Sequence, residues 1–462
     1  MFEKLDLNED LAMPEMKEFA AGLGYADLPA ELLLVLRRSF VDTMGVAAVG
    51  STTEMSNIAR KVAPVLFGAG RSMESRMLMD GRVASPVGAA MSGAMTIDSV
   101  DAHDGTTPNK GHAGSAVFPA LLAVADALIQ NGQKMTGAEF AAHLAVGYEV
   151  SCRAGQVQHA TCSTYHASGA WTAVGVAAAC ARMLGASAEQ IHHATGIGEY
   201  HGPRSQMMRC IDFPTMLRDS VGWGAPSGVS AAFLANQGFT GAPAITCESE
   251  EAIDHWTGLG TNWLTIDHTH YKPYPCCRWA HPAIDAARDL MKDNNLEHQD
   301  IAQVEIRTFH YAIRLAGHEP KTLDEFSYGI AFPVATMIVR DQIGVDELRP
   351  ETLNDPDILR ISRATKLIDD PELTARSVTK RWASVALITT DNQRFEAAPR
   401  TPRGDNDLPL STEEISQKFH LFADEVLGKT RAKRLHEMAL LFDTLCADEL
   451  KELIDLCCRG TR

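Results

Sequence analysis

The segment PAELLLVLRRSFVDTMGVAAVG, residues 29–50, decides the fold class. Leu33, Leu36, Phe40, Met44 and Ala47 recur at three- and four-residue spacing, the period of one helix face, while Pro29 suits the first turn and Gly50 the stop. The same grammar returns through the first 240 residues. SPVGAAMSGAMTIDSV (85–100) opens on Ser85 as cap with Pro86 just inside the helix. TGAEFAAHLAVGYEV (136–150) carries a capping box of Thr136 and Glu139, and SAEQIHHATGI (187–197) repeats it with Ser187 and Gln190. Ala and Gly crowd these faces and let helices approach closely, which predicts a buried bundle with few aromatic wedges. No period of 34 or about 40 residues recurs, which argues against a helical solenoid.

The texture changes after about Gly258. NWLTI (262–266) reads as a short strand, HPAIDAARDLMKDNN (281–295) as an amphipathic helix, and QVEIRTF (303–309) as a half-buried strand. SVTKRWASVALITT (377–390) and QRFEAAP (393–399) form a second strand pair, turned at Asp391–Asn392. STEEISQKFHLFADEVL and AKRLHEMALLFDTL then return to helical periodicity. The expected architecture is mostly α: a large helical domain of residues 1–267 with 406–462, and a smaller α+β domain of residues 268–405 inserted into it.

The 462-residue chain has 59 acidic and 42 basic residues, a formal charge of -17, with no dense basic block outside short pieces such as Lys429–Arg434. That field disfavours nucleic acid and anionic membranes as partners. The opening MFEKLDLNEDLAMPEM is acidic where an export signal would be basic, and FPALLAVADALI and AAFLANQGF fall short of the roughly 20 residues needed to cross a bilayer. Ten cysteines without a CxxC pattern disfavour structural zinc and a disulfide framework. A soluble, cytoplasmic protein is expected.

Four clusters carry groups capable of chemistry. TIDSVDAHDGTTPNKGHAGS (96–115) places Asp101, His103, Asp104, Thr106, Lys110 and His112 where one helix ends and another begins. Asp101 and Asp104 share a face if the helix continues, whereas Gly105 and Pro108 argue that it breaks. Asp101, His103 and His112 could ligate a metal, but no specific metal motif fits, which favours a metal-free acid–base site. HATCSTYHASGAWTAVGVAAACARMLG (159–185) sets Tyr165 and His166 before an Ala/Gly helix that Ser168 could cap. A helix start suits a substrate carboxylate and His166 beside it could exchange protons near neutrality, although packing explains Tyr165 equally well. In RSQMMRCIDFPTMLRDSVGWGAPSGVS (204–230), Arg218 could clamp a carboxylate, and the glycines fit neither a dinucleotide fingerprint nor a phosphate loop. YKPYPCCRWAHPAIDAA (271–287) gathers Lys272, Cys277, Arg278 and His281 on a proline-stiffened loop. A Cys277–His281 nucleophilic pair lacks an identifiable third member, which speaks against a hydrolase.

Taken in order, VDTMGVAAVG, ASPVGAAMSGAMTIDSVDAHDG, GHAGSAVFPALLAVADA, GYEVSCR, YHASGAWTAVGVAAAC, KPYPCCRWAHPAIDA and FSYGIAFPVA resemble the MmgE/PrpD family over nearly the whole chain. That family includes 2-methylcitrate dehydratase, cis-aconitate decarboxylase and iminodisuccinate epimerase. The resemblance implies a helical domain plus a smaller α+β domain, a homodimer, and a cofactor-free, metal-free site in the cleft between the domains. By motif it also implies that Asp101, His112, His166 and Lys272 are catalytic, with Thr106 nearby. Two departures stand out: Cys277 or Arg278 occupies the neighbourhood where decarboxylases and methylcitrate dehydratases carry a His, with His281 later, and Arg218 or its vicinity replaces a further Lys. Tyr165 joins the catalytic set, and His103, Thr106, Arg218, Cys277, Arg278 and His281 the substrate-binding set. The expected reaction is a hydro-lyase elimination on a small di- or tricarboxylate by proton abstraction beside a carboxylate, with epimerisation of an amino- or imino-dicarboxylate or decarboxylation as alternatives.

Overall fold

The helix that opened the sequence reading runs Ala30–Gly50, and its Asp42-to-Gly50 half is wholly buried. The computed structural model describes residues 15–70, 73–315 and 317–461. The reading of the opening segment as lacking an export signal therefore falls largely outside the described residues. Among them, no helix is long and apolar enough to cross a membrane, and all ten cysteines are free thiols.

Helix Gly169–Met183 lies at the centre of the bundle, against Gly114–Gln130, Gly137–Thr161, Ala188–His201 and Val221–Asn236. Small residues make that possible. A Cβ built on Gly175 would stand 2.0 Å from Ser151 Oγ and 2.5 Å from the Gly147 carbonyl oxygen. The capping signals hold: Ser85 Oγ accepts from Gly88 N, and Thr136–Glu139 and Ser187–Gln190 form reciprocal capping boxes. The C-terminal helix Thr412–Leu427 packs back on Ala30–Gly50, where Phe419 presses against Gly45 and the buried Lys418 Nζ donates to Asp42 Oδ1 and to the Ala102 carbonyl, both at 2.6 Å.

A four-stranded sheet runs in the order Thr365–Asp369, Ile301–Thr308, Ala383–Thr389, Arg394–Glu396. The first pair is parallel and the rest antiparallel. Helix His281–Asp293 covers it, and Asn392 turns the last hairpin with φ +65°. Two expectations need correction. NWLTI is not a strand, because Leu264–His268 is a single helical turn whose first N–H groups, at Leu264 and Thr265, donate to the buried carboxylate of Glu149. Residues 377–382 are not strand either: pairing begins at Ala383, and the preceding backbone is free to turn Arg381 elsewhere.

Overpacking a close helix crossing costs about 1–3 kcal/mol. Gly175→Ala should lower the unfolding free energy by that amount while Gly22→Ala, at an open position where no heavy atom lies within 4 Å of the added Cβ, should not. Denaturant melts of the two variants check this.

Candidate active site

Helix Pro86–Asp98 ends where the sequence turns polar, and Asp101 takes left-handed backbone, φ +49°. Such a conformation costs an L-residue roughly 1–2 kcal/mol, least for Asp, Asn and Gly. Asp101 and Asp104 therefore do not share a helix face. The chain then forms a two-residue strand, Gly105–Thr106, pairing antiparallel with Thr269–His270. Gly105 has to be glycine here, since a Cβ would lie 2.7 Å from His270 Nε2 and 3.0 Å from His112 Nδ1.

This pairing delivers Lys272, one of the most deeply buried side chains in the chain, to Asp101. Lys272 Nζ donates to Asp101 Oδ1 at 2.5 Å and to the Asp101 carbonyl at 2.9 Å. Burial alone would raise the Asp101 carboxyl, but the ammonium outweighs it and the group is held below its ordinary value. His112 stands beside the pair. Its Nδ1–H donates to the Asp104 carbonyl at 2.6 Å and its backbone N–H to Ser168 Oγ at 3.0 Å. The tautomer this fixes leaves Nε2 unprotonated, an acceptor 3.3 Å from Asp219 Oδ2 and 3.9 Å from Asp101 Oδ1. Burial, reinforced by His103 and Lys272, holds the His112 imidazole neutral well below its ordinary pKa. Burial together with Asp98 and Asp101 pushes the Asp219 carboxyl well above its ordinary value, which favours its protonated form.

These groups line a small cavity together with Thr106, Thr107, Lys110, Tyr165, His270, Cys277, Arg278, Trp279, Tyr328 and Arg381. Of the expected residues, Asp101, Thr106, His112, Tyr165, Lys272, Cys277 and Arg278 thus converge. Tyr165 is a wall: its hydroxyl donates to the Lys110 carbonyl, and burial raises the phenol well above its ordinary range. The Cys277 thiol is pushed up to about 12 by burial. Arg278 is neutralised by Asp405 and also donates to the Arg403 carbonyl.

Four expected residues do not reach the cavity. His166 forms an extended bridge with Gln206, and its Nδ1 binds the Thr164 carbonyl; neighbours in extended backbone point to opposite sides, so Tyr165 faces in and His166 does not. Ser168 leaves the helix start uncapped because its hydroxyl serves His112. Arg218 is buried against Asp324 at 2.7 Å, over the face of Tyr328, and braces the wall from behind. His103 is stacked 4.2 Å behind His112 with Nε2 on Asp98 Oδ1, its pKa lowered by burial to about 3. His281 binds the Cys276 carbonyl through Nε2 and leans on Arg278, which leaves Cys277 without a histidine partner.

Asp101, His103 and His112 do present ligand atoms within 4.8 Å of one another. The arrangement suits a cation, yet the cation it holds is the Lys272 ammonium, and His103 already spends Nε2 on Asp98. Sequence reasoning missed His270, Asp219 and Arg381. His270 directly precedes the flagged 271–287 loop, Asp219 follows the flagged Arg218, and Arg381 was hidden in an expected strand. Arg381 donates only to backbone carbonyls, of Lys380 at 3.0 Å and Ser377 at 3.3 Å, and Lys110 holds its Nζ over the Tyr165 ring. Among the described residues, neither cation forms an ion pair.

Residues 14–262 match the MmgE/PrpD N-terminal domain and residues 274–444 the MmgE/PrpD C-terminal domain. A cis-aconitate decarboxylase-like protein, oryM, of Aspergillus oryzae is 21% identical over 96% of each chain. The cis-aconitate decarboxylase of Aspergillus terreus is 20% identical over 96% of this chain and 95% of its own, and that of Homo sapiens 23% identical over 88% and 86%. With both halves matched in order and relatives aligned nearly end to end, the chain belongs to the MmgE/PrpD family.

Proposed function

We propose that the protein is a metal-independent lyase that removes the proton beside a carboxylate of a small di- or tricarboxylate and expels a hydroxyl group. The observation that carries this is the pairing, in one cavity, of two cations without carboxylate partners, Lys110 and Arg381, with a neutral imidazole whose Nε2 is unprotonated. Lys110 and Arg381 would hold the substrate carboxylate and the enediolate-like charge that grows on it. His112 Nε2 would take the proton as general base. Asp219, kept protonated, would return one to the departing hydroxyl, and it lies 3.3 Å from the base.

That spacing favours elimination over epimerisation. An epimerase needs proton-transferring groups on opposite faces of one carbon, whereas His112 and Asp219 stand side by side. Decarboxylation is the second reading, favoured by the names of the relatives; it would use the same carboxylate grip and let the protonated partner quench the carbanion left by carbon dioxide. Lys272, already engaged by Asp101, has the task of holding the loop that presents His112.

Incubation with hydroxy-, unsaturated and amino-dicarboxylates in deuterated water separates these readings. Elimination gives an alkene absorbance with label exchange, decarboxylation gives carbon dioxide with label retained in product, and exchange with inversion and no alkene would overturn the lyase assignment. His112→Gln should lower kcat by roughly 10²–10⁴-fold with the fold intact by circular dichroism, and His166→Ala should leave kcat within a few-fold. Because the imidazole acts in its neutral form and its pKa is lowered, the acid limb of kcat/KM should fall below pH 6.5, the ordinary imidazole value; a limb above that value contradicts the assignment.

Breaking a buried ion pair from one side costs about 3–5 kcal/mol. Lys272→Met should destabilise the protein by that amount, and adding Asp101→Asn should recover part of it, as read by denaturant melts of the single and double variants. Prolonged chelation should leave activity unchanged, and loss rescued by one divalent ion would refute a metal-free reaction.

A further inference from the structure

The cavity that holds the carboxylate chemistry has a volume of about 70 Å³. Lys110, Tyr165, Trp279 and Arg381 wall both this cavity and a second chamber of about 810 Å³, and form the neck between them. The second chamber holds an aromatic cluster set among polar side chains. Beyond the neck, Trp279 and Phe309 stack edge to face at 5.5 Å, and the Arg381 guanidinium lies over the Phe309 ring at 5.8 Å. Met208, Tyr311 and Val378 add apolar surface to this cluster, and Ser163, Thr164, Gln206, Arg209, Asp212, Thr374 and Ser377 supply the polar part of the lining. Tyr311 and Val378 are 55% and 76% exposed, so large apolar side chains stand in water at the mouth of a polar site.

We infer that the outer chamber is a substrate subsite, and that the physiological substrate is a carboxylate bearing an apolar or aromatic substituent of several carbons. This rests on the reading of the inner cavity as a carboxylate site. Lys110 and Arg381 stand at the neck, where they would grip the carboxylate nearest the branch point. The reacting carbon would then lie inward beside His112 while the substituent runs outward over Trp279 and Phe309. Specificity between a bare polycarboxylate and a substituted one comes from the apolar area buried beyond the neck.

The test is calorimetric titration of the full chain with succinate, 2-butylsuccinate, 2-hexylsuccinate and 2-benzylsuccinate. Binding should tighten roughly 3–4-fold for each methylene that enters the chamber, until the chain reaches the mouth. In the double variant Tyr311→Ala, Val378→Asp, both changes lying at exposed positions, the gain across the series should shrink, with thermal melts confirming the fold. Succinate binding as tightly as its substituted forms, in a manner abolished by Arg381→Met, would overturn the subsite while leaving the carboxylate reading intact. A gain along the series that persists undiminished in the double variant would also overturn it, by placing the substituent elsewhere. If no member binds and Arg381→Met changes nothing, the carboxylate reading falls and the subsite with it.

Discussion

One buried ion pair organises the site. Lys272 and Asp101 belong to different halves of the chain, and each is almost fully removed from water. A lone charge there would cost several kcal/mol of desolvation, so neither residue can sit where it does without the other. Their contact clamps the segment entering the α+β unit to the loop that leaves helix Pro86–Asp98. Through that loop it fixes the left-handed turn at Asp101 and the Asp104 carbonyl that orients His112. Lys418 secures the same loop from the other side, by binding the Ala102 carbonyl and Asp42. Two buried ammonium groups, one on each flank, thus hold the six residues of irregular backbone at 99–104 in a single shape.

The charge balance follows from this. Asp98, Asp101 and Asp219 crowd together, and only Asp101 is held ionised by direct contact with a cation. Asp98 is pushed up by burial to about 7, and burial with the neighbouring carboxylates pushes Asp219 well above its ordinary value, so the cluster favours bound protons. His112, squeezed by burial and the neighbouring ammonium, remains unprotonated beside a carboxyl that is not. An imidazole lacking a proton next to a carboxylic acid holding one is the reverse of their order in water, and it is the order that acid–base work on a carbon acid needs.

How much of this the sequence discloses depends on the range of the interactions involved. Helical period, capping boxes at Thr136 and Ser187, and the clustering of Asp101, Thr106 and His112 are local and were legible. Lys272 was legible as a member of its loop, but its partner 171 residues away was not. His166 misled because its residue type and helix-start position looked right, while one step of extended backbone turned it away. Ser168 misled for a similar reason: a hydroxyl at a helix start is a cap unless another donor claims it, and the His112 N–H does. Arg381 was concealed by an apolar run that made its neighbourhood resemble the start of a strand. The site's free cations are defined by lacking a partner, a property that no spacing along the chain expresses.

The protonation of His112 tests this account most directly. In protein labelled with nitrogen-15 at histidine, with His112→Gln used to assign its resonances, the account predicts a ring protonated at Nδ1 alone, with Nε2 showing the shift of an unprotonated nitrogen, from pH 8 down past 6.5. A ring that is doubly protonated at pH 7, or that carries its proton on Nε2, would contradict it.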